Sequence, residues 1–342
     1  MSDGGEGAVQ SLVTATGGLY QVARVSDPLM RPVDAQYGII EGGVKAVIEM
    51  AAASGLELLS PAEYNPFRTT TFGTGELILN ALDQGCRQFI IGIGGSATND
   101  GGAGMLSALG ARLLDEAGAI IDEKGGEGLS RITKLDLSGL DERLQSSSFE
   151  IACDVTNPLT GPRGATYVYA RQKGARDEDL AMLEAGMENW GRVLEESTGK
   201  EIVNVAGAGA AGGLGAGLLA LPHAELKSGF GLIRQATNLE ARIAESDVII
   251  TGEGRVDGQT LYGKVVSGIG VLAAKYNKPV ICIAGTLDRE SQILLDHGIT
   301  ALFSIVDKPM DLQEAMDQTP RLLENSARSL GALVGAFVQK EN

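Results

Sequence analysis

Short runs of β-branched residues alternate along the chain with segments in which apolar residues recur at helical spacing. This alternation is typical of an α/β protein, in which helices pack on a largely parallel sheet. The predicted strands are Val44–Met50, Gln88–Ile93, Phe149–Val155, Ile202–Val205, Asp247–Thr251, Pro279–Ala284 and Ala301–Val306. The predicted helices are Gly75–Gln84, Gly102–Leu114, Glu178–Ser197, Gln259–Lys275, Ser291–His297 and a C-terminal helix over Gln318–Phe337.

Three segments add detail to the predicted arrangement of strands, helices and domains. The predicted strand Pro279–Ala284 lacks polar alternation, as expected for a strand buried on both faces of a parallel sheet. The polar, glycine-dotted segment Asp115–Asp141 predicts an excursion over the surface. From Asp247 onward the order of strand, glycine turn and helix becomes more regular, which predicts a domain boundary near Ser246.

The length, charge and cysteine content of the chain limit the number of domains, the possible partners and the cellular location. The chain has 342 residues, of which 44% are hydrophobic and 21% charged, enough for about two folded domains. The net charge of −16 disfavours nucleic acid and anionic membranes as partners. The sequence has no transmembrane-length apolar run, no signal-peptide pattern and three isolated cysteines, so we predict a cytoplasmic protein with free thiols. Its oligomeric state stays open, and a homo-oligomer is compatible with the sequence.

Glycine, at 48 residues, is unusually frequent and clustered, and the first cluster follows a predicted strand. Glycines at the start of a helix let a phosphate approach backbone N–H groups, and nearby hydroxyl and carboxylate groups add contacts. The alternative is a turn in which Asn99 or Asp100 only caps the helix. The candidate residues of this cluster are Gly94, Gly95, Ser96, Thr98, Asn99 and Asp100.

Two further clusters are candidates for ligand binding. The segment Thr69–Glu76 places four threonines and two glycines before a helix, where Thr74 either contacts a ligand or acts as the N-cap. The run Gly207–Gly217 either cradles a ligand or lets helices pack closely, and ligand binding is favoured for its first half. The candidate residues in that half are Gly207, Gly209 and Gly212.

Charged residues form the remaining candidates. Asp154 ends a predicted strand, where ligands bind in open α/β sheets, and Lys173 follows as a candidate for phosphate or as a solvated lysine. A nucleophilic role for Cys153 is disfavoured, because no histidine is near it in sequence. The segment Thr251–Lys264 combines carboxylates with cations that could clamp an anion, or could form a salt-bridged turn. Its candidates are Glu253, Arg255, Asp257 and Lys264.

Several catalytic classes are excluded by what the sequence lacks. Residues Gly258–Lys264 have the form of a P-loop, but Val265 stands where a Mg²⁺-binding hydroxyl is needed. Only two histidines are present, which argues against a Ser-His-Asp hydrolase and a histidine-rich zinc site. Anion-binding glycine turns, carboxylates and a few cations remain. This set suits Mg²⁺-dependent phosphoryl transfer, which relies on positioning and charge neutralisation.

Taken together, these clusters resemble the bacterial type I glycerate kinase family over nearly the whole chain. The matching segments are Ser2–Gly7, Glu49–Leu56, Gly73–Ile78, Gly92–Gly104, Ala152–Pro158, Gln172–Ala175, Gly207–Gly213, Thr251–Asp257, Gln259–Thr260 and Gly263–Lys264. The resemblance implies transfer of a phosphoryl group from ATP, with Mg²⁺, to D-glycerate, giving 2-phosphoglycerate in organic-acid catabolism.

The resemblance also implies a fold and roles for the candidates. It implies two α/β domains with largely parallel sheets, in which a flavodoxin-like domain of residues 21–245 is inserted between residues 1–20 and 246–342. Asp3 and Glu6 belong to a shared motif and are assigned to the substrate site. Asp100 and Asp257 are assigned to catalysis and Asp154 and Glu253 to the metal, although which carboxylate binds metal and which acts as base stays open. Arg255 and Lys264 are assigned to the carboxylate of glycerate or to the transferred phosphoryl group.

The chain departs from the resemblance at its start. Family members usually open with a strand and a loop, about 40 residues in all, before the motif that this chain shows directly after Met1. We therefore expect this form to be less stable and less active than one carrying that segment. The alternatives are an impaired family member, a kinase of another small hydroxy acid, a non-catalytic binding protein and a nucleotide-dependent oxidoreductase.

Overall fold

The computed structural model describes residues 7–122, 125–256, 260 and 265–338. Contacts divide the chain into a larger unit, Met1–Thr237, and a smaller one, Asn238–Asn342. Within the described residues, no helix is both long enough and apolar enough to cross a membrane.

The larger unit is built on a six-stranded sheet in the order β1-β2-β3-β4-β7-β8, with β5 and β6 forming a separate antiparallel pair. Strands β3, β4, β7 and β8 are parallel, and β1 and β2 form an antiparallel hairpin at one edge. The bounds are β1 (Leu19–Ser26), β2 (Pro32–Ile40), β3 (Lys45–Glu49), β4 (Gln88–Gly92), β5 (Arg112–Leu114), β6 (Lys134–Asp136), β7 (Ser148–Ala152) and β8 (Ala224–Lys227).

Helices cover both faces of this sheet, so its central strands are buried on both sides. Consecutive strand residues point to opposite faces: Val47 belongs to an apolar cluster with Leu12, whereas Ile48 belongs to the main core with Leu77 and Trp190. The helices are α1 (Ala8–Thr16), α2 (Ala51–Ser54), α3 (Phe72–Asp83), α4 (Ala103–Ala108), α5 (Ala165–Tyr169), α6 (Leu180–Thr198), α7 (Ala210–Leu219) and α8 (Gly229–Ala236).

The smaller unit has a three-stranded parallel sheet in the order β11-β10-β9. Its elements are α9 (Leu239–Glu245), β9 (Ile249–Val256), α10 (Val265–Lys275), β10 (Val280–Leu287), β11 (Ala301–Ser304), α11 (Leu312–Asp317), α12 (Thr319–Val338) and a 3-10 helix at Arg289–His297. The predicted α/β class with largely parallel sheets is therefore confirmed. The flavodoxin-like assignment and the insertion of one domain into the other stay predictions.

Two predicted elements in the larger unit were wrong. The β-branched run Ile202–Val205 is not a strand, because the N–H groups of Ile202 and Val203 donate to Glu195 Oε1 at 2.8 and 2.9 Å, beside the end of α6. The helix predicted over Gly102–Leu114 ends at Ala108, and β5 begins four residues later.

The segment Asp115–Asp141 is also more than the predicted surface excursion. It contains β6 and a 3-10 helix at Gly126–Arg131, and it contributes the buried side chains of Leu129, Ile132 and Leu135 to the main core. Isolated apolar residues in a polar segment give a weak periodic signal, which explains the error.

Contacts divide the chain between Thr237 and Asn238. Helix α1 packs against β2, β3 and α8 of the larger unit. The predicted arrangement, with a boundary near Ser246 and residues 1–20 grouped with residues 246–342, stays a prediction.

Candidate functional site

A cavity of about 450 Å³ lies where β4 and β7 end, at the carboxyl edge of the parallel sheet. Ligands of open α/β sheets bind at this edge, because the loops that follow the strands converge there. The lining residues are Leu56, Ile93, Gly94, Gly95, Ser96, Ala152, Cys153, Asp154, Val155, Tyr169, Gln172 and Ala210. The predicted residues Gly94, Gly95, Ser96 and Asp154 thus share one cavity.

The backbone at Gly94 and Gly95 carries uncommitted hydrogen-bond donors in two residues that line this cavity. Both glycines are exposed, and neither N–H group donates to an acceptor within the part of the chain that the structure describes. Gly95 has a φ of 72°, and its carbonyl oxygen accepts from the N–H of Leu56 at 2.9 Å, which fixes the turn. Uncommitted N–H groups at such a turn are suited to bind an oxyanion.

Asp100 lies in the interior, where its hydrogen bonds fix the end of the loop at residues 96–100. It is fully buried, and its two carboxylate oxygens accept five hydrogen bonds, at 2.8 to 3.3 Å, from Thr70, Thr71, Gly102 and Gly104. Burial raises the pKa of the carboxyl, and the backbone and hydroxyl donors oppose that rise because they favour the charged form. Asp100 is not among the residues that line the cavity.

The threonines at positions 69–71 also hydrogen-bond to the loop at residues 96–100. Thr69 Oγ1 donates to the carbonyl oxygen of Ala97 at 2.8 Å, and Thr70 and Thr71 both donate to Asp100. Thr74 lies inside α3, two residues after its start at Phe72, so it is not the N-cap; its hydroxyl pairs with Ser54 at 2.9 Å. None of these threonines lines the cavity.

Lys173 lies beneath the cavity wall. Its side chain is buried, and its ammonium donates to Ser96 Oγ at 2.8 Å and to the carbonyl oxygen of Thr98 at 2.6 Å. Burial lowers the pKa of Lys173 to about 7, and the negative charge of Asp100 opposes that change. The lysine is therefore not a solvated surface residue.

Thr98 and Asn99 are fully buried next to Lys173. Asn99 Nδ2 donates to Thr166 Oγ1 at 3.3 Å, while Asn99 Oδ1 and Thr98 Oγ1 have no hydrogen-bond partner among the described residues. Neither residue lines the cavity, so both lie in the buried loop that follows the Gly94–Ser96 turn.

The first half of the glycine run at 207–217 is a close-packing surface. The N–H groups of Gly207 and Gly209 both donate to the carbonyl oxygen of Asn157, at 3.1 and 3.0 Å. Gly212 has a φ of 66°, and a Cβ atom there would lie 1.9 Å from the carbonyl oxygen of Thr98. The contact of Gly212 packs this segment against the loop at Thr98. The N–H groups of Gly207 and Gly209 already donate to Asn157, so they are not free to bind a ligand.

Asp154 is the carboxylate in the cavity wall. Its Oδ1 accepts from the N–H of Gly229, the first residue of α8, at 3.0 Å, while Ser228 is the N-cap of that helix. Tyr169 and Gln172 line the cavity but were not among the predicted site residues. The Tyr169 hydroxyl donates to Asn157 Oδ1 at 2.7 Å. Gln172 could have been inferred, since it directly precedes Lys173 in a segment already singled out.

In the smaller unit, β9 runs through Val256, so the strand predicted to end at Thr251 is five residues longer at that end. Gly252 pairs with Ile283 of β10, and a Cβ atom on this glycine would lie 2.2 Å from the Ile283 carbonyl oxygen. Glu253 therefore lies within the strand, where its Oε1 accepts from Thr260 at 2.6 Å. Arg255 is exposed and pairs with Asp288 at 3.1 Å.

The remaining predicted residues are Asp3, Glu6, Asp257 and Lys264, and all four lie outside the described residues. No three His, Cys, Asp or Glu side chains lie close enough to hold a metal ion within residues 7–122, 125–256, 260 and 265–338.

The fold and the cavity define an α/β protein with a cavity at the carboxyl edge of a parallel sheet, lined in part by a glycine turn. The model of the glycerate kinase family matches residues 1–335. The chain therefore belongs to the glycerate kinase family, which confirms the resemblance inferred from the sequence.

Its relatives include named enzymes and a solved structure. It is 48% identical to a glycerate kinase of Halalkalibacterium halodurans, over 97% of this chain and 87% of that protein. It is 46% identical to the glycerate 2-kinase of Escherichia coli K12, over 96% and 87% of the two chains. A crystal structure from Salmonella typhimurium LT2, assigned as glycerate kinase 2, matches 99% of this chain and 88% of its own with a TM-score of 0.87 and 46% identity.

Replacing Gly212 with alanine should destabilise the loop through its contact with Thr98. Gly199→Ala is the matched control, since Gly199 has a φ of 67° but no neighbouring heavy atom within 4 Å. We expect about 1–2 kcal/mol for the control from the left-handed backbone alone, and at least about 2 kcal/mol more for Gly212→Ala from overlap. Urea unfolding measures both, and equal losses would mean that the close contact carries no cost.

Lys173 should make stability depend on pH. Since the unfolded chain keeps the lysine protonated well above pH 7, the buried charge costs stability fully below that pH and the cost is relieved as pH rises. Relative to Lys173→Met, the free energy of unfolding of the unmodified protein should rise by up to about 1.4 kcal/mol per pH unit above pH 7. Urea unfolding of both proteins across this range tests it; a difference that does not change with pH would show that the pKa is not lowered.

Proposed function

We propose that this protein transfers the γ-phosphoryl group of ATP to D-glycerate and produces 2-phosphoglycerate, in glycerate catabolism. The proposal is supported by relatives at 46–48% identity, one of which is named glycerate 2-kinase. The structural observation that carries it is the cavity lined by Gly94, Gly95 and Ser96, where the N–H groups of both glycines donate to no acceptor among the described residues. Both substrates are anions with oxygens that such donors bind.

In the proposed reaction, the C2 hydroxyl oxygen of D-glycerate attacks the γ-phosphorus of ATP. The bond from that phosphorus to the β–γ bridging oxygen breaks, ADP leaves, and the hydroxyl proton passes to a base. Such transfers depend on fixing the reactants in line and on neutralising charge on the phosphoryl oxygens. Donors whose positions are fixed before the substrate arrives serve this purpose, since they need no reorganisation during the reaction.

Asp154 is our candidate ligand for Mg²⁺. The ion is commonly held by one or two carboxylates together with nucleotide phosphates, so one carboxylate in the cavity wall fits it without a dedicated cluster of ligands. When bound, Mg²⁺ would neutralise phosphate charge. Glu253 is a second candidate, but its Oε1 already accepts from Thr260.

Asp100 is a weaker candidate for the base than the sequence suggested, because its carboxylate is enclosed by five donors away from the cavity. We therefore carry Asp257 forward as the candidate base. Arg255 and Lys264 stay candidates for clamping the anionic groups, and Asp3 and Glu6 stay candidates for the substrate site.

The reaction is tested by incubating the protein with ATP, Mg²⁺ and a panel of small hydroxy acids. We expect ADP to form with D-glycerate, a ³¹P spectrum that identifies 2-phosphoglycerate, and loss of activity in excess EDTA. Formation of 3-phosphoglycerate would refute the assigned position. Turnover of another hydroxy acid with D-glycerate inert would favour the alternative substrate, and no turnover of any acid would favour a binding protein or an impaired enzyme.

Asp154→Asn should raise the Mg²⁺ concentration needed for half-maximal rate by at least about tenfold. The side-chain oxygen of asparagine can still accept from the N–H of Gly229, so this contact with the first residue of α8 is kept while the negative charge is lost. Asp311→Asn is the matched control, because Asp311 caps α11 by accepting from the N–H of Glu314 at 2.8 Å. An unchanged Mg²⁺ requirement in Asp154→Asn would remove this residue from the metal site.

A further inference from the structure

We propose that Lys173 is a positioning residue, which acts on the bound anion through the hydroxyl of Ser96 rather than by touching the ligand itself. This inference deepens the proposed function and rests on it for the identity of the ligand. It replaces the direct contact with phosphate that the sequence predicts for Lys173. Four observations support it: the rigid placement of the lysine, its two acceptors, the position of Ser96 in the cavity wall, and the nearby uncommitted N–H groups.

The backbone places Lys173 with little freedom. The residue ends a short 3-10 helix, Arg171–Lys173, and is followed by Gly174 with a φ of 99°. A Cβ atom on Gly174 would lie 2.3 Å from the carbonyl oxygen of Tyr64, so only glycine allows the chain to turn here. The side chain of Lys173 is 1% exposed and does not line the cavity.

The acceptors of the ammonium decide what Ser96 can do. In its protonated form, which predominates below pH 7, the Lys173 amine is only a donor, so Ser96 Oγ acts as the acceptor in the 2.8 Å contact with Lys173 Nζ. The hydroxyl hydrogen of Ser96 must then point to a different acceptor. Ser96 lines the cavity, and no hydrogen bond donated by its hydroxyl is found within the described residues. The hydrogen is therefore available to a ligand oxygen.

The Lys173 ammonium also holds the loop backbone that follows Ser96. Its second contact, at 2.6 Å, is with the carbonyl oxygen of Thr98, two residues after Ser96. One buried cation thus holds both the hydroxyl and the backbone that carry the wall of the anion site. Its positive charge also polarises the Ser96 hydroxyl, which strengthens donation to an anion.

The inference predicts that Lys173 and Ser96 act as one unit. Ser96→Ala should weaken the binding of D-glycerate or inorganic phosphate by at least about tenfold, and it should also lower the melting temperature, because the buried Lys173 ammonium loses one of its two acceptors. Lys173→Met should weaken binding by a similar or larger factor in the unmodified protein, but by less than about threefold when Ser96 is already alanine. A purely structural lysine would instead give equal factors in both backgrounds.

Binding can be measured without turnover through the fluorescence of Trp190, the chain's one tryptophan. Its Nε1 donates to the carbonyl oxygen of Gly101 at 2.9 Å, in the same loop as Ser96 and Thr98. Isothermal titration calorimetry provides the second readout. A protein that binds phosphate in this way but does not phosphorylate D-glycerate would overturn the proposed function and leave the role of Lys173 supported.

Lys200→Met is the matched control, since the Lys200 ammonium also donates to two carbonyl oxygens, those of Leu219 and Leu221, at 2.8 Å, but lies away from the cavity. We expect its affinity for either anion to be unchanged. Unchanged affinity in Ser96→Ala would overturn the inference even if Lys173→Met failed to fold. Equal losses on replacing Lys173 in the two backgrounds would overturn it as well.

Discussion

The site depends on one constraint: the buried polar groups of the loop at residues 96–100 need hydrogen-bond partners in the protein interior. Residues 96–100 pass through the interior, where unpaired polar groups are costly. Asp100 gathers donors from the threonine cluster and from the start of α4, and Lys173 holds Ser96 and the Thr98 carbonyl. Because these groups fix the loop internally, the N–H groups of Gly94 and Gly95 are not needed to hold it, and they donate to no acceptor among the described residues.

The proposed binding of anions has to work in a strongly acidic chain. The net charge of −16 gives the protein as a whole a field that repels negatively charged substrates. The cavity counters this locally with backbone N–H groups, whose dipoles are not part of the net charge, and with a cation buried behind Ser96. Local donors at short range decide binding, since solvent and salt screen the charges at longer range.

The sequence predicted the class and the family, because these depend on local signals. The strand Gln88–Ile93 followed by glycines put Gly94, Gly95 and Ser96 at a sheet edge, as the structure has them. The roles of Asp100 and Gly212 could not be predicted. Asp100 contacts residues 29 and 30 positions away, and Gly212 packs on a loop more than 100 positions away, so only the folded chain reveals them. Tyr169 was missed for the same reason.

The central claim is that the Gly94–Ser96 turn binds the substrate's anionic oxygens, and an amide titration tests it most directly. Protein labelled with ¹⁵N-glycine would be titrated with D-glycerate, and separately with inorganic phosphate, while the backbone N–H resonances are followed. We expect saturable shifts at Gly94 and Gly95, with none at Gly199, which caps α6. Saturating ligand that leaves Gly94 and Gly95 unchanged while other glycines shift would contradict the claim.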